Sequence, residues 1–93
     1  MAETIAIQAT VHGLVQGVGF RYHTRSMAAR IGVRGWVRNN PDGTVEIYAE
    51  GSPEQVRRME DYLHSGPPHA HVTQVELRRP HATGTYRTFS IEY

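Results

Sequence analysis

The sequence contains no cysteine, no lysine and no long apolar run. Without cysteine there is no disulfide, no thiol nucleophile and no cysteine-ligated zinc. All ten basic residues are arginine, which excludes a Schiff-base lysine and the lysine of a nucleotide-binding P-loop. The formal net charge of +1 argues against nucleic acid or an acidic membrane as the partner. With neither a signal peptide nor a membrane-spanning run, we expect a soluble cytoplasmic protein.

The length of 93 residues is enough for one modest core and one functional site. The sequence shows no internal repeat, no low-complexity segment and no composition shift that would mark a linker. We therefore expect residues 1–93 to form a single domain, and a monomer is the expected state.

Hydrophobic periodicity predicts the order βαββαβ followed by a short terminal strand. The first helix begins at Phe20 and stops at Gly32, and the second begins with a Ser52 cap, Pro53 and a capping-box Gln55. Strands are predicted at residues 4–12, 33–39, 44–50 and 71–79, and in a last segment that carries Phe89 and Ile91.

This order predicts an α+β fold, a ferredoxin-like sandwich with both helices on one face of an antiparallel sheet. The third strand is expected between the first two, so that strands one and two end at the edge where helix one begins. Strand parity then puts Asn39 on the helix-covered face, beside the start of helix one. The fourth strand is expected to point Thr73, Val75 and Leu77 inward, and the third to expose Glu46 and Tyr48.

Residues 11–21, Val-His-Gly-Leu-Val-Gln-Gly-Val-Gly-Phe-Arg, connect the first strand to the first helix. Gly13, Gly17 and Gly19 allow a loop that turns N–H groups inward, and the helix adds its unpaired N–H groups and positive dipole end. Arg21 adds a planar charged fork in the first turn, where a cation opposes the dipole unless an anion is bound. Together these features predict a site for a phosphate-like anion.

Two segments of the chain resemble the acylphosphatase family. Gly13-Leu-Val-Gln-Gly-Val-Gly-Phe-Arg21 matches the family signature, and Gly35-Trp-Val-Arg-Asn39 with Asp42-Gly43-Thr44-Val45 matches its second block. The resemblance implies metal-independent hydrolysis of acyl phosphates to a carboxylate and orthophosphate, with no cofactor and with orthophosphate as an inhibitor. By resemblance, Arg21 binds phosphate and Asn39 orients the water. The implied backbone cradle comprises Leu14, Val15, Gln16, Gly17, Val18 and Gly19.

Other interpretations of these residues stay open from the sequence. The glycines could be turn formers, Asn39 could simply begin a turn, and Thr24 could satisfy a backbone carbonyl. His69 and His71 are two apart but have no evident third metal ligand. The same topology serves RNA-binding modules, although the first strand offers no exposed aromatic and Tyr48 on the third is flanked by Glu46 and Glu50, whose carboxylates would repel phosphate. An anion-binding domain without catalysis, or one that serves a larger carbamoyl-transfer system, is a further alternative.

Overall fold

The computed structural model describes residues 3–93, and the predicted element order is confirmed. Within that range neither helix is long and apolar enough to cross a membrane. The elements are β1 (Ile5–Leu14), α1 (Phe20–Ile31), β2 (Arg34–Asn39), β3 (Val45–Gly51), α2 (Pro53–Ser65), β4 (His71–Arg78) and β5 (Phe89–Glu92).

The sheet order is β4-β1-β3-β2-β5, so β3 lies between β1 and β2 as predicted. The pairs formed among β1, β2, β3 and β4 are all antiparallel, whereas β5 pairs with β2 in parallel. The sheet is therefore mixed rather than wholly antiparallel, because β5 is added to the outer edge of β2 after a long connection. The ferredoxin-like α+β fold is confirmed, with α1 and α2 packed on the sheet.

The core lies between the helices and the inward residues of the sheet. Alternation along β1 buries Ile7, Ala9 and Val11, and the stripe of α2 buries Val56, Met59 and Leu63. Both helices end at glycines, as predicted. Gly32 donates its N–H to Ala28 at 2.8 Å, and Gly66 donates its N–H to Tyr62 at 2.7 Å. The predicted capping box of Ser52 and Gln55 is confirmed at the start of α2.

The inward pattern expected for β4 was wrong at Thr73, which is exposed. Between His12 and Gly13 the pairing jumps from Gln74 to Val72, so Thr73 has no partner across the ladder and Val72 packs against the core instead. Such a bulge shifts strand parity by one residue. Gly13 is needed there because a Cβ at this position would lie 2.0 Å from the carbonyl oxygen of His71.

The sheet face away from the helices is partly covered, which the sequence did not predict. Trp36 packs on this face under the Arg38 guanidinium, 4.9 Å from its ring centroid, as expected. Tyr48, expected to be exposed, is only 7% exposed, because Trp36 and Tyr86 pack against its ring. Burial, and the hydrogen bond to Glu50, raise the pKa of Tyr48.

Glu50 binds the segment before β5, at Thr83 and Gly84, to the sheet face away from the helices. Its fully buried carboxylate accepts from the Tyr48 hydroxyl at 2.7 Å and from the N–H groups of Thr83 and Gly84 at 3.1 and 3.2 Å. Since a buried carboxylate is costly unless its oxygens are satisfied, these donors are what permit it to lie there. The segment is thereby tied to the middle of the sheet.

We expect Glu50→Gln to destabilise the fold by about 1–3 kcal/mol, because an amide NH₂ would face donors in place of an acceptor. Urea unfolding measures the loss, and hydrogen exchange should rise at Thr83 and Gly84. Glu76→Gln is the control, since Glu76 is an exposed glutamate that pairs with His12. Its cost should be under about 0.5 kcal/mol. Equal costs for the two variants would contradict the role given to Glu50.

Candidate active site

A cavity of about 150 Å³ opens at the edge of the sheet where β2 ends and α1 begins. It is lined by Val15, Gly17, Gly19, Phe20, Arg21, Tyr22 and Asn39. The loop after β1, the first turn of α1 and the last residue of β2 therefore meet at one place. This is the juxtaposition that strand order and parity predicted.

The loop reaches α1 through backbone conformations that suit glycine. Gly17 and Gly19 have φ of 75° and 76°, in the left-handed region that other residues rarely adopt. Gly19 is also the N-cap of α1, where no side chain caps the helix and no acidic residue occupies the first turn. The first-turn N–H groups and the positive end of the helix dipole are thus left for a ligand in the cavity.

Arg21 lies in this first turn, and its side chain is packed against the C-terminal residue. The guanidinium carbon is 5.1 Å from the centroid of the Tyr93 ring, within the range of a cation–π contact. Among the ion pairs of residues 3–93, none involves Arg21. Arg21, one of the residues that line the cavity, therefore carries a permanent positive charge without a carboxylate partner in residues 3–93.

Asn39 contributes the remaining polar group. Its side-chain oxygen Oδ1 is buried and has no hydrogen-bond partner within the described chain, residues 3–93. An unsatisfied buried acceptor costs about 1–3 kcal/mol, and such a group in a native protein calls for a water or a ligand. Asn39 is also one of the residues that line the cavity, so its side chain lies where the loop, α1 and β2 meet.

The side chain of Gln16 joins the loop to the β2–β3 turn that follows Asn39. Its amide Nε2 donates to the carbonyl oxygens of Asn40 and Thr44 at 2.8 and 2.9 Å. The turn is closed by Asp42, which accepts from the hydroxyl and the N–H of Thr44 at 2.6 and 3.0 Å. These hydrogen bonds lower the pKa of Asp42. The loop and the end of β2 are therefore held at a fixed separation.

Not every residue of the predicted cradle lines the cavity. Val15, Gly17 and Gly19 do, whereas Leu14, Gln16 and Val18 do not. Leu14 is the exposed end of β1, and Val18 packs partly against the core.

Two contacts at the site were missed from the sequence. The Gln16 bridge spans 24 and 28 residues to its two carbonyl partners, and the Tyr93 ring comes from the far end of the chain. No local pattern reports pairings at such sequence separations.

The neighbouring histidines and Thr24 have other partners. His12 pairs with Glu76, and His23 stacks on Tyr62 with ring centroids 5.7 Å apart. Thr24, whose hydroxyl was considered as a partner for a backbone carbonyl, lies instead 3.2 Å from the Tyr62 hydroxyl. Over residues 3–93 there is no group of three or more histidine, aspartate or glutamate side chains that could hold a metal ion, so His69 and His71 have no third ligand there.

Comparison with known proteins assigns the chain to a family. The acylphosphatase family model matches residues 7–91. An acylphosphatase of Acaryochloris marina is 44% identical over 91 residues, which are 98% of this chain and 97% of that protein. The crystal structure of the Bacillus subtilis acylphosphatase superposes with a TM-score of 0.91 at 35% identity and covers 96% of this chain and 99% of that one.

A larger protein contains a similar unit. Full-length HypF, crystallised in a phosphate- and nucleotide-bound form, matches all of this chain with 12% of its own length, at 26% identity and a TM-score of 0.91. The fold and the solved relatives define the class of protein, a small α+β enzyme. The chain belongs to the acylphosphatase family, which supports hydrolysis of acyl phosphates as its reaction.

Proposed function

We propose that this enzyme hydrolyses acyl phosphates at the cavity between the loop, α1 and β2, without a metal ion. The observation that carries the proposal is that Arg21, the uncapped start of α1 and Asn39, whose buried side-chain oxygen has no partner in residues 3–93, all line one cavity. A phosphoryl group needs positive charge and N–H donors, and its attacking water needs a fixed acceptor. Arg21 supplies the positive charge, the start of α1 supplies the N–H donors, and Asn39 supplies the acceptor for the water.

Arg21 and the N–H groups of the loop and of the first turn of α1 would hold the phosphoryl oxygens. A guanidinium can donate two parallel hydrogen bonds to two oxygens of one phosphoryl group. Charge on the equatorial oxygens in the transition state is stabilised by donors already held in position, which is the main contribution of a protein to phosphoryl transfer. We assign Arg21 to this role, and Val15, Gly17 and Gly19 to the part of the cradle that borders the cavity; Leu14, Gln16 and Val18 complete the proposed loop.

Asn39 would orient the nucleophile. A water that donates to Asn39 Oδ1 keeps its own oxygen lone pair for attack on phosphorus. As the new P–O bond forms, the bond from phosphorus to the acyl oxygen breaks and its electron pair leaves with the carboxylate. The proton of the water passes to a phosphoryl oxygen, because an amide is too weak a base to take it. The carboxylate is a weakly basic leaving group, so no general acid is needed.

We also propose that the enzyme acts as a monomer, since all residues assigned to the site come from one chain. Orthophosphate, the product, should compete with substrate for the same donors. We propose that the small-molecule substrate binds without a partner protein. The cytoplasmic location expected from the sequence stays a prediction.

The first test is hydrolysis of benzoyl phosphate by the purified protein. We expect turnover that is unchanged by a chelator such as EDTA, because Arg21 and the N–H groups supply the positive potential that a magnesium ion would otherwise provide. Competitive inhibition by orthophosphate is expected in the same assay. A rate that is lost with EDTA and restored only by a divalent metal would overturn the metal-free mechanism.

Arg21→Ala should lower kcat/KM by about 10²- to 10³-fold, the usual cost of removing a main transition-state donor. Arg21→Lys should recover little of it, because a point charge cannot donate two parallel bonds to one phosphoryl group. Arg58→Lys is the matched control on the exposed side of α2 and should keep full activity. Full activity of Arg21→Lys would refute the two-bond role.

Asn39→Ala should lower kcat by about 100-fold while leaving the inhibition constant of orthophosphate nearly unchanged, since its proposed partner is water rather than phosphate. Steady-state kinetics and phosphate inhibition on one sample measure both values. Thermal unfolding should show an intact fold, because Asn39 is the last residue of β2. If turnover and phosphate affinity fall together, Asn39 binds the phosphoryl group instead.

A further inference from the structure

A second and larger cavity, of about 700 Å³, lies between α1, the start of β2 and the residues that lead into β5. Three arginines from these three segments line it, namely Arg25, Arg34 and Arg87. The hydroxyl residues Ser26 and Thr88 also line it, and no aspartate or glutamate does. The proposed mechanism uses none of these side chains.

None of the three arginines forms a salt bridge with a carboxylate of residues 3–93. Elsewhere in residues 3–93, Arg38, Arg57 and Arg79 each form an ion pair with a carboxylate, but Arg25, Arg34 and Arg87 form none. Glu50 is the cross-strand partner of Arg34, but its carboxylate accepts hydrogen bonds from Thr83 and Gly84 rather than from that arginine. Three unpaired cations thus line one concave surface of a chain whose formal net charge is only +1.

The C-terminal end of α1 does not account for this concentration of charge. Gly32, its C-cap, lines the cavity, and a helix C-terminus carries roughly half a negative charge. Arg30 already provides a cation in the last turn. Three further arginines therefore exceed what the dipole can offset, and in the absence of another anion they repel each other.

The side chain of Arg25 contacts the exposed ring of Tyr22. Its guanidinium carbon is 5.2 Å from the centroid of the Tyr22 ring. Because Arg34 is only partly exposed at the start of β2, it is restricted in how far it can move away. An arginine whose fork is already oriented loses less conformational entropy when it binds an anion.

We propose that this cavity is a second anion site, separate from the proposed phosphoryl site, and that it takes a compact anion with three or more negative charges. Each arginine can present two N–H groups to one phosphate or carboxylate group, and the Ser26 and Thr88 hydroxyls can donate beside them. Oligophosphates and tricarboxylates share this chemistry. The second anion site does not include the residues assigned to catalysis, so its test is independent of the proposed reaction.

The test is calorimetric titration of the Arg21→Ala variant with tripolyphosphate and, separately, with citrate, at 0.15 M salt. Arg21→Ala weakens the proposed phosphoryl site, and the loss of the remaining binding in the second-cavity variants assigns that binding to the second cavity. We expect saturable one-to-one binding of at least one of the two anions. The tighter of the two identifies whether the occupant is of the phosphate or the carboxylate class.

Adding Arg34→Gln or Arg87→Gln to this background should weaken binding by about three- to tenfold each. The control Arg58→Gln, an exposed arginine on α2, should change it by less than twofold. Amide NMR shifts on titration should be largest at Ser26, Gly32 and Thr88, and thermal unfolding checks that each variant is folded. The proposal is overturned if neither anion binds saturably, or if Arg58→Gln weakens binding as much as Arg34→Gln does.

Discussion

Gln16 donates two hydrogen bonds from one side-chain amide, at 2.8 and 2.9 Å, to the carbonyl oxygens of Asn40 and Thr44. This contact connects the loop after β1 to the turn after β2, and therefore fixes Asn39 relative to the start of α1. Each bond to a neutral acceptor contributes about 1 kcal/mol to stability, but its larger effect is on geometry, since a displacement of about 1 Å in a catalytic site can cost about 100-fold in rate. The proposed mechanism requires this separation to be constant.

The element order could be predicted because each element carries its own local signal. Alternation marked β1 to β3, and the capping box and Pro53 marked the start of α2. The order βαββαβ then left few possible sheets, and the observed position of β3 between β1 and β2 is the expected one. The errors have a different origin. Thr73 was misplaced because a bulge depends on the register against β1, and Tyr48 because the segment that covers it is distant in sequence.

In the candidate site, too, some residues could be placed from the sequence and others could not. Strand parity and chain order were enough to place Arg21 and Asn39 at one cavity. The Gln16 bridge and the Tyr93 ring against Arg21 depend on where long side chains reach, which periodicity does not specify. The roles given to Arg21, Asn39 and the loop stay predictions, as do metal independence, the monomeric state and the single domain over residues 1–93. Family membership supports the reaction but does not distinguish which residue performs which step.

The two helices show where the chain departs from local rules. α2 begins with a satisfied capping box, a proline and the acidic Glu54, all of which stabilise a helix start. α1 begins with Gly19 in the left-handed region, has no side-chain cap, and carries Arg21 where a cation opposes the dipole. Glycine in place of a side-chain cap costs a helix roughly a few tenths of a kcal/mol. A bound phosphoryl group would accept from the same N–H groups and reverse the sign of the charge there. The start of α1 therefore lacks the usual features of a stable helix terminus, and the proposed phosphoryl group would supply the missing acceptor and negative charge, so that the proposed site exchanges local stability for binding.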